Sequence, residues 1–205
     1  MIGRSRHDAG QAFPIYVVMV AGLLFLVFAF FAVGKAAALR NGAQGAADAA
    51  ALAAAQQTRE DFGDPFLASL PGNMLEQFLQ RRVVTGCPAA QGLAAANQAD
   101  IVSPGGCKST RAGYRDRITV NVKGRKPVDS SVIPGTKNRY AKATATAIVE
   151  FRCPTWKALD FDDDGFQDLY IFKCTGVGVV EIAPGSPPPW SEVSKSLYDV
   201  HLVDN

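Results

Sequence analysis

The chain has 205 residues, with 21 Lys+Arg against 19 Asp+Glu and a formal net charge of +2. That length suits one ordinary domain with an appendage and excludes a multidomain enzyme or a large barrel. The near-neutral balance also removes the cationic surplus on which nucleic-acid binding draws, so no nucleic-acid partner is expected.

From Ala12 to Val33 the chain runs 22 residues without a charge, and only Pro14 and Gly22 fall outside the apolar set. About 20 apolar residues in a helix span about 30 Å of hydrocarbon, so a transmembrane helix is expected over residues 12–34. Pro14 falls in its first turn, where a missing N–H costs little, and Tyr16 lies near the boundary that amphipathic rings favour. Residues 1–11 then form a short cytoplasmic N-terminus. The small residues from Gly34 to Ala38 offer a cleavage site, but the apolar block exceeds a signal peptide's, and an uncleaved anchor is expected.

The flanking charges nearly tie: Arg4 and Arg6, offset by Asp8, precede the span, and Lys35 and Arg40 follow it. The cysteines orient it better. Cys87, Cys107, Cys153 and Cys174 all follow the span, as two similarly spaced pairs with no C-x-x-C. An even number beyond a membrane segment reads as two disulfides in an oxidising compartment, hence a single-pass membrane protein with its C-terminal domain extracellular. Three connectivities are open, and sequential pairing is preferred.

Residues 41–58 read NGAQGAADAAALAAAQQT, half of them alanine, and no proline interrupts from Ile15 to Asp64. Alanine is the strongest helix former, so the membrane helix is expected to continue as an alanine-rich stalk over residues 35–60. Leu52 is its only large apolar residue. Small residues let backbones approach closely, which suits two arrangements: packing against partner helices in an assembly, or lying along its own domain.

From Arg59 onward, cations and anions number 17 each. Asp64-Pro65 is expected to break the long helix. Met74, Leu75, Phe78 and Leu79 stand at helical spacing within 70–84, and a second short helix is read over 91–98. The period then becomes two: RITVNV (117–122) and YAKATATAIVEF (140–151) alternate as strands, with 169–173 and 177–182 completing an antiparallel set, and a proline-rich turn, 184–189, precedes a short terminal run, 197–203. Between the first two lies a Pro/Gly/Ser-rich connection, 123–139. The fold class is α+β, with a long N-terminal helix followed by a small domain, residues 61–205, of short helices and an antiparallel sheet.

The sharpest local pattern is Asp160-Phe161-Asp162-Asp163-Asp164-Gly165-Phe166-Gln167-Asp168. Carboxylates at positions 1, 3, 5 and 9 with glycine at 6 match calcium-loop spacing, and the carbonyl of Phe166 supplies a further oxygen. The expected structural calcium ligands are thus Asp160, Asp162, Asp164, Phe166 and Asp168. Ile171 stands where an EF-hand has its bidentate glutamate, and the motif runs into a strand, so the spacing is similar instead to integrin-type and dockerin-like calcium loops. Cys153 and Cys174 enclose the unit, which reads as structural.

A basic tract, Lys108 to Lys142, holds ten Lys+Arg against Asp116 and Asp129, a surface for anionic lipid headgroups, wall polymer or a neighbouring subunit, or a solvated face. Enzyme signatures are missing. The only histidines are His7 and His201, and there is no G-x-S-x-G, H-E-x-x-H or phosphate loop, so a non-enzyme is expected.

Asp8-x-Gly10-Gln11, the uninterrupted span and Ala46-Ala47-Asp48-Ala49-Ala50-Ala51-Leu52-Ala53 together carry a family likeness. Over about the first 55 residues the chain resembles the TadE/TadG-like proteins of Tad (tight adherence) Flp-pilus assembly, particularly those of high-GC Gram-positive bacteria. The resemblance implies a membrane-anchored minor pilin or pseudopilin-like component of a pilus or surface secretion apparatus. Its partners would be membrane lipid and other apparatus subunits, met through the N-terminal helix. It also implies prepilin-peptidase processing after a glycine, here Gly10, although Ile15 replaces the glutamate expected five residues later. The alternative is a calcium-braced cell-surface binding module tethered by one membrane helix.

Overall fold

With no proline after Pro14 and alanine throughout its second half, the chain begins as one helix, α1 (Ala12–Asp61), 50 residues long. At 1.5 Å per residue it extends about 75 Å. This is a computed structural model, and it describes residues 12–127 and 138–203. The readings placed on Arg4, Arg6, His7, Asp8, Gly10 and Gln11, and on the middle of the 123–139 connection, lie outside those residues.

Four short helices follow or flank the sheets: α2 (Gly63–Ser69), α3 (Leu75–Arg81), α4 (Cys87–Ala96) and α5 (Trp190–Leu197). The long helix stops at Phe62, two residues before the expected break, and Pro65 sits inside the first turn of α2, where proline is tolerated. The expected helix over 70–84 shortens to α3, and that over 91–98 begins earlier, with Pro88 in the first turn of α4.

The strands are β1 (Ala99–Ile101), β2 (Cys107–Ala112), β3 (Arg115–Pro127), β4 (Tyr140–Phe151), β5 (Thr155–Leu159), β6 (Leu169–Cys174), β7 (Gly178–Ile182) and β8 (Tyr198–Val203). They form two antiparallel sheets rather than one. The larger runs β1-β3-β4-β8 with β2 also paired to β3, and the smaller runs β5-β6-β7. The class is α+β, with a long apolar helix ahead of a domain of antiparallel sheets and short helices.

The second half of α1 lies along its own domain. Ala43, Ala46, Ala47, Ala50, Ala51, Ala54, Ala55 and Thr58 are buried, a stripe at helical spacing. It packs against β3, β4 and α4. The strand partners on that side are themselves small or branched: Val120 pairs with Ala145 and Ile118 with Ala147. Buried Ala90 and Ala94 of α4 meet the helix from the other side. Small residues on both surfaces let the backbones approach closely. At Gly86 a Cβ would lie 1.9 Å from the Ala54 carbonyl oxygen, and the Gly86 amide donates to Thr58 Oγ1 at 3.1 Å.

Beyond the end of α1 the core turns aromatic. Phe66 contacts the rings of Phe78, Phe172, Trp190 and Tyr198. The Trp190 indole N–H donates to the Arg59 carbonyl at 3.1 Å, capping an orphan carbonyl of the last helical turn.

One buried ion pair fixes α3 to the β2–β3 hairpin. Arg82 Nε donates to Asp116 Oδ2 at 2.6 Å, with both side chains 1 % exposed. Arg111 Nε donates to the other oxygen at 2.8 Å. The same guanidiniums reach the Leu79, Gln80 and Arg82 carbonyls at the end of α3. Each carboxylate oxygen thus accepts from one guanidinium, which gives the buried charge its counter-charge across two elements.

Candidate functional site

Two regions carry the expected functional residues: the bare half of α1 and the aspartate loop between β5 and β6. In the first, every large apolar side chain from Phe13 to Val33 is exposed, Phe30 to 78 % and Phe13 to 74 %. Among the described residues, no element of the domain buries this stretch. The surface is apolar all round rather than along one stripe, which is the pattern of a lipid-embedded helix and not of a core helix. It is the one helix long and apolar enough to cross a membrane among the described residues, consistent with a single-pass membrane protein.

The four cysteines form two disulfides, Cys87–Cys107 and Cys153–Cys174. This is the sequential pairing preferred above. The first ties the start of α4 to the start of β2. The second joins the exit of β4 to the end of β6, closing the base of the unit that holds the aspartate loop. Each encloses about 20 residues, a constraint worth roughly 3 kcal/mol against the unfolded chain.

The loop itself, 160–168, is the connection of the β5–β6 hairpin, with Leu159 opposite Leu169. Glycine is required at one bend: Gly165 has φ +88°, a region costly to other residues. Backbone amides point at the carboxylates. Gly165 N donates to Asp160 Oδ2 at 2.9 Å and Phe161 N to Asp168 Oδ2 at 2.7 Å. Asp164 N donates to Asp162 Oδ1 at 3.4 Å, and Phe166 N to Asp164 Oδ1 at 2.7 Å.

Of the expected ligands, Asp160, Asp162 and Asp168 are brought together, each offering a carboxylate oxygen within 4.8 Å of the others. Asp164 is turned toward its own bend through the Phe166 amide, and the Phe166 side chain is exposed. Asp160 Oδ1 is buried without a hydrogen-bond partner. A buried unpaired oxygen on a carboxylate that is clustered with two others is a feature that a hard divalent cation would satisfy. The charges repel meanwhile. The Asp164 amide lowers the Asp162 pKa, but the Asp164 and Asp168 charges and partial desolvation outweigh it and hold Asp162 above its ordinary value. A carboxylate raised in the fold opposes folding where it is ionised, above that pKa, and the penalty fades as pH falls through it.

His201 pairs with Asp199 at 2.9 Å, beside an open groove of about 620 Å³ lined by Tyr114, Arg115, Glu150, Arg152 and Asp199. Arg115 and Glu150 neutralise one another there at 2.7 Å. The Arg82–Asp116–Arg111 network was not foreseen from sequence; the buried partner of an otherwise basic strand, Asp116 beside Arg115 and Arg117, was the available signal.

No curated protein and no solved structure matches the chain. A family model does match, Tad, described as Putative Flp pilus-assembly TadE/G-like, over residues 10–57. Within the described residues the match, 12–57, falls inside α1 (Ala12–Asp61) and takes in its exposed apolar half and most of the alanine stripe. The likeness to that family is thus carried by the N-terminal helix: residues 10–57 match its model, and the match does not extend into the rest of the chain.

Proposed function

We propose that the protein is a single-pass structural or assembly component, of minor-pilin or pseudopilin type, in a Tad/Flp-type pilus or surface secretion apparatus, with its N-terminus cytoplasmic and its disulfide-bonded head extracellular. The observation that supports it is the bare surface of residues 13–33 at the head of a TadE/G-like segment. Because the alanine stripe is consumed inside the head, the helix surface left for partner helices is the apolar half. The role is structural rather than enzymatic, in keeping with the family. The test replaces residues 13–33 with an unrelated polyleucine span of equal length. The structural reading expects the head to reach the cell surface and pilus assembly to fail. A tethered binding module would leave assembly intact, and that result rejects the reading.

Within the head, calcium at the aspartate loop would be held by Asp160, Asp162 and Asp168, with Asp164 and the Phe166 carbonyl completing the shell. Its role is to brace the β5–β6 hairpin of the smaller sheet. A cation at about 100 times its Kd stabilises the fold by about 2.7 kcal/mol. For a chain of this size that is a rise of about 5–10 °C in melting midpoint. Melting the full chain in detergent with calcium or with chelator should show that difference, and Asp162→Ala should abolish it without lowering the chelated midpoint. Equal midpoints with and without calcium reject the site.

A further inference from the structure

The lower end of the large sheet, where β3 finishes and β4 begins, sits beside the point at which α1 leaves the membrane. Lys126, Gly124 and Ala141 line one crevice with Ala38, Leu39 and Gly42 of the helix. Those helix positions lie 5–9 residues past Val33, which is about 8–14 Å along the axis. The headgroup layer beyond the hydrocarbon is about 5–8 Å deep. A flexible lysine on this end thus reaches headgroup phosphates or comes within the Debye length of about 8 Å.

The charge at that end is one-sided. Lys123, Lys126, Arg139 and Lys142 are exposed there, and Arg40 projects from the helix. Asp100 is the acidic residue facing them among the described residues of these elements, and Arg125 holds it at 2.6 Å. Lys123 Nζ also lies 4.0 Å from the Tyr140 ring centroid, a pairing suited to a headgroup boundary, where Tyr is favoured. The opposite charge is carried at the far end: the aspartate loop hydrogen-bonds to Pro71, beyond the C-terminus of α1. A near-neutral head is therefore a dipole along the helix axis, positive toward the membrane and negative away from it.

Resting on the reading of residues 13–33 as a membrane anchor, we propose that the Lys123–Lys126 and Arg139–Lys142 end of the sheet is a docking surface for anionic phospholipid headgroups of the bilayer that α1 spans, and that it seats the head against the membrane. Each basic side chain near such a surface adds favourably, and the attraction fades with salt.

The experiment is lysine footprinting with a water-soluble acylating reagent, read by mass spectrometry, on the full chain in nanodiscs. One disc is neutral phosphatidylcholine, and the other contains about 30 % phosphatidylglycerol, enough to give a negative surface potential. In the anionic disc Lys123, Lys126 and Lys142 should be modified about threefold less, while Lys157, Lys173 and Lys195 on the upper elements keep their rates. About 0.5 M salt should restore the lower lysines, and Arg139→Glu with Lys142→Glu should expose Lys123 and Lys126 again. Equal labelling in the two discs overturns the proposal while leaving the anchor intact. So does protection that needs a soluble anionic polymer instead of anionic lipid. A chain that does not enter either disc overturns the anchor and this proposal together.

Discussion

Asp116→Ala should destabilise the head by about 3–5 kcal/mol, because it leaves the Arg82 guanidinium buried without its counter-charge. Arg82 and Asp116 are each 1 % exposed at the side chain, so water cannot replace the lost partner. The damage spreads, since Asp116 also orients Arg111, and both guanidiniums bond carbonyls at the end of α3. For a chain of this size the loss corresponds to about 6–20 °C in melting midpoint. Arg111→Ala should cost clearly less, because its side chain is 31 % exposed and solvent can substitute. The paired change Arg82→Met with Asp116→Leu should recover much of the loss, as removing both charges relieves the desolvation penalty. Thermal melting of the four proteins by circular dichroism checks this. An Asp116→Ala head that melts within a degree or two of the parent would show that the pair is not buried in solution.

Much of this was readable in the chain. Uncharged length alone marks Ala12–Val33, and alternation marks β3, with one face buried and the other not, and the first half of β4, whose second half is buried on both faces. The cysteine pairs and the aspartate loop were legible as spacings. What escaped was short or unpatterned. β2, CKSTRA, is exposed along nearly its whole length, so no alternation announces it. β5, TWKAL, is five residues between a proline and the acidic loop. α2 hid behind a proline that reads as a breaker but occupies a first turn. α5 did leave a signal, Trp190, Val193 and Leu197 at helical spacing after Pro189, which the proline-rich turn obscured. Division into two sheets is a tertiary outcome that no local period encodes.

The alanine stripe is the instructive case. A run of alanines fixes a helix but gives hydropathy no direction, so sequence left two arrangements open, against partner helices or along its own domain. The complement was present in the chain: Ala143, Ala145 and Ala147 alternate on β4, and Ala90 and Ala94 recur on α4. Small surfaces on strand and helix are needed only where something approaches closely. The glycines mark the same division. Gly86 faces the Ala54 carbonyl with no room for a Cβ, whereas Gly45 on the outer face of α1 has nothing within 4 Å.

This stripe is core, and the large apolar side chains of α1 that the domain leaves bare are those of residues 13–33. Ala50 is fully buried, so Ala50→Leu forces side-chain volume between α1 and the sheet, an overpacking cost of about 1–3 kcal/mol or more. Gly86→Ala should do at least as much, since its Cβ meets backbone that cannot swing aside. Gly45→Leu, on the open face of the same helix, should cost nothing and gain slightly, since leucine exceeds glycine in helix propensity by about 0.8 kcal/mol. The direct measurement is the melting midpoint of the full chain in detergent for Ala50→Leu beside Gly45→Leu. A fall of several degrees in the first with none in the second is the predicted result. An unchanged midpoint for Ala50→Leu would contradict the account, because the stripe would then be free for other helices.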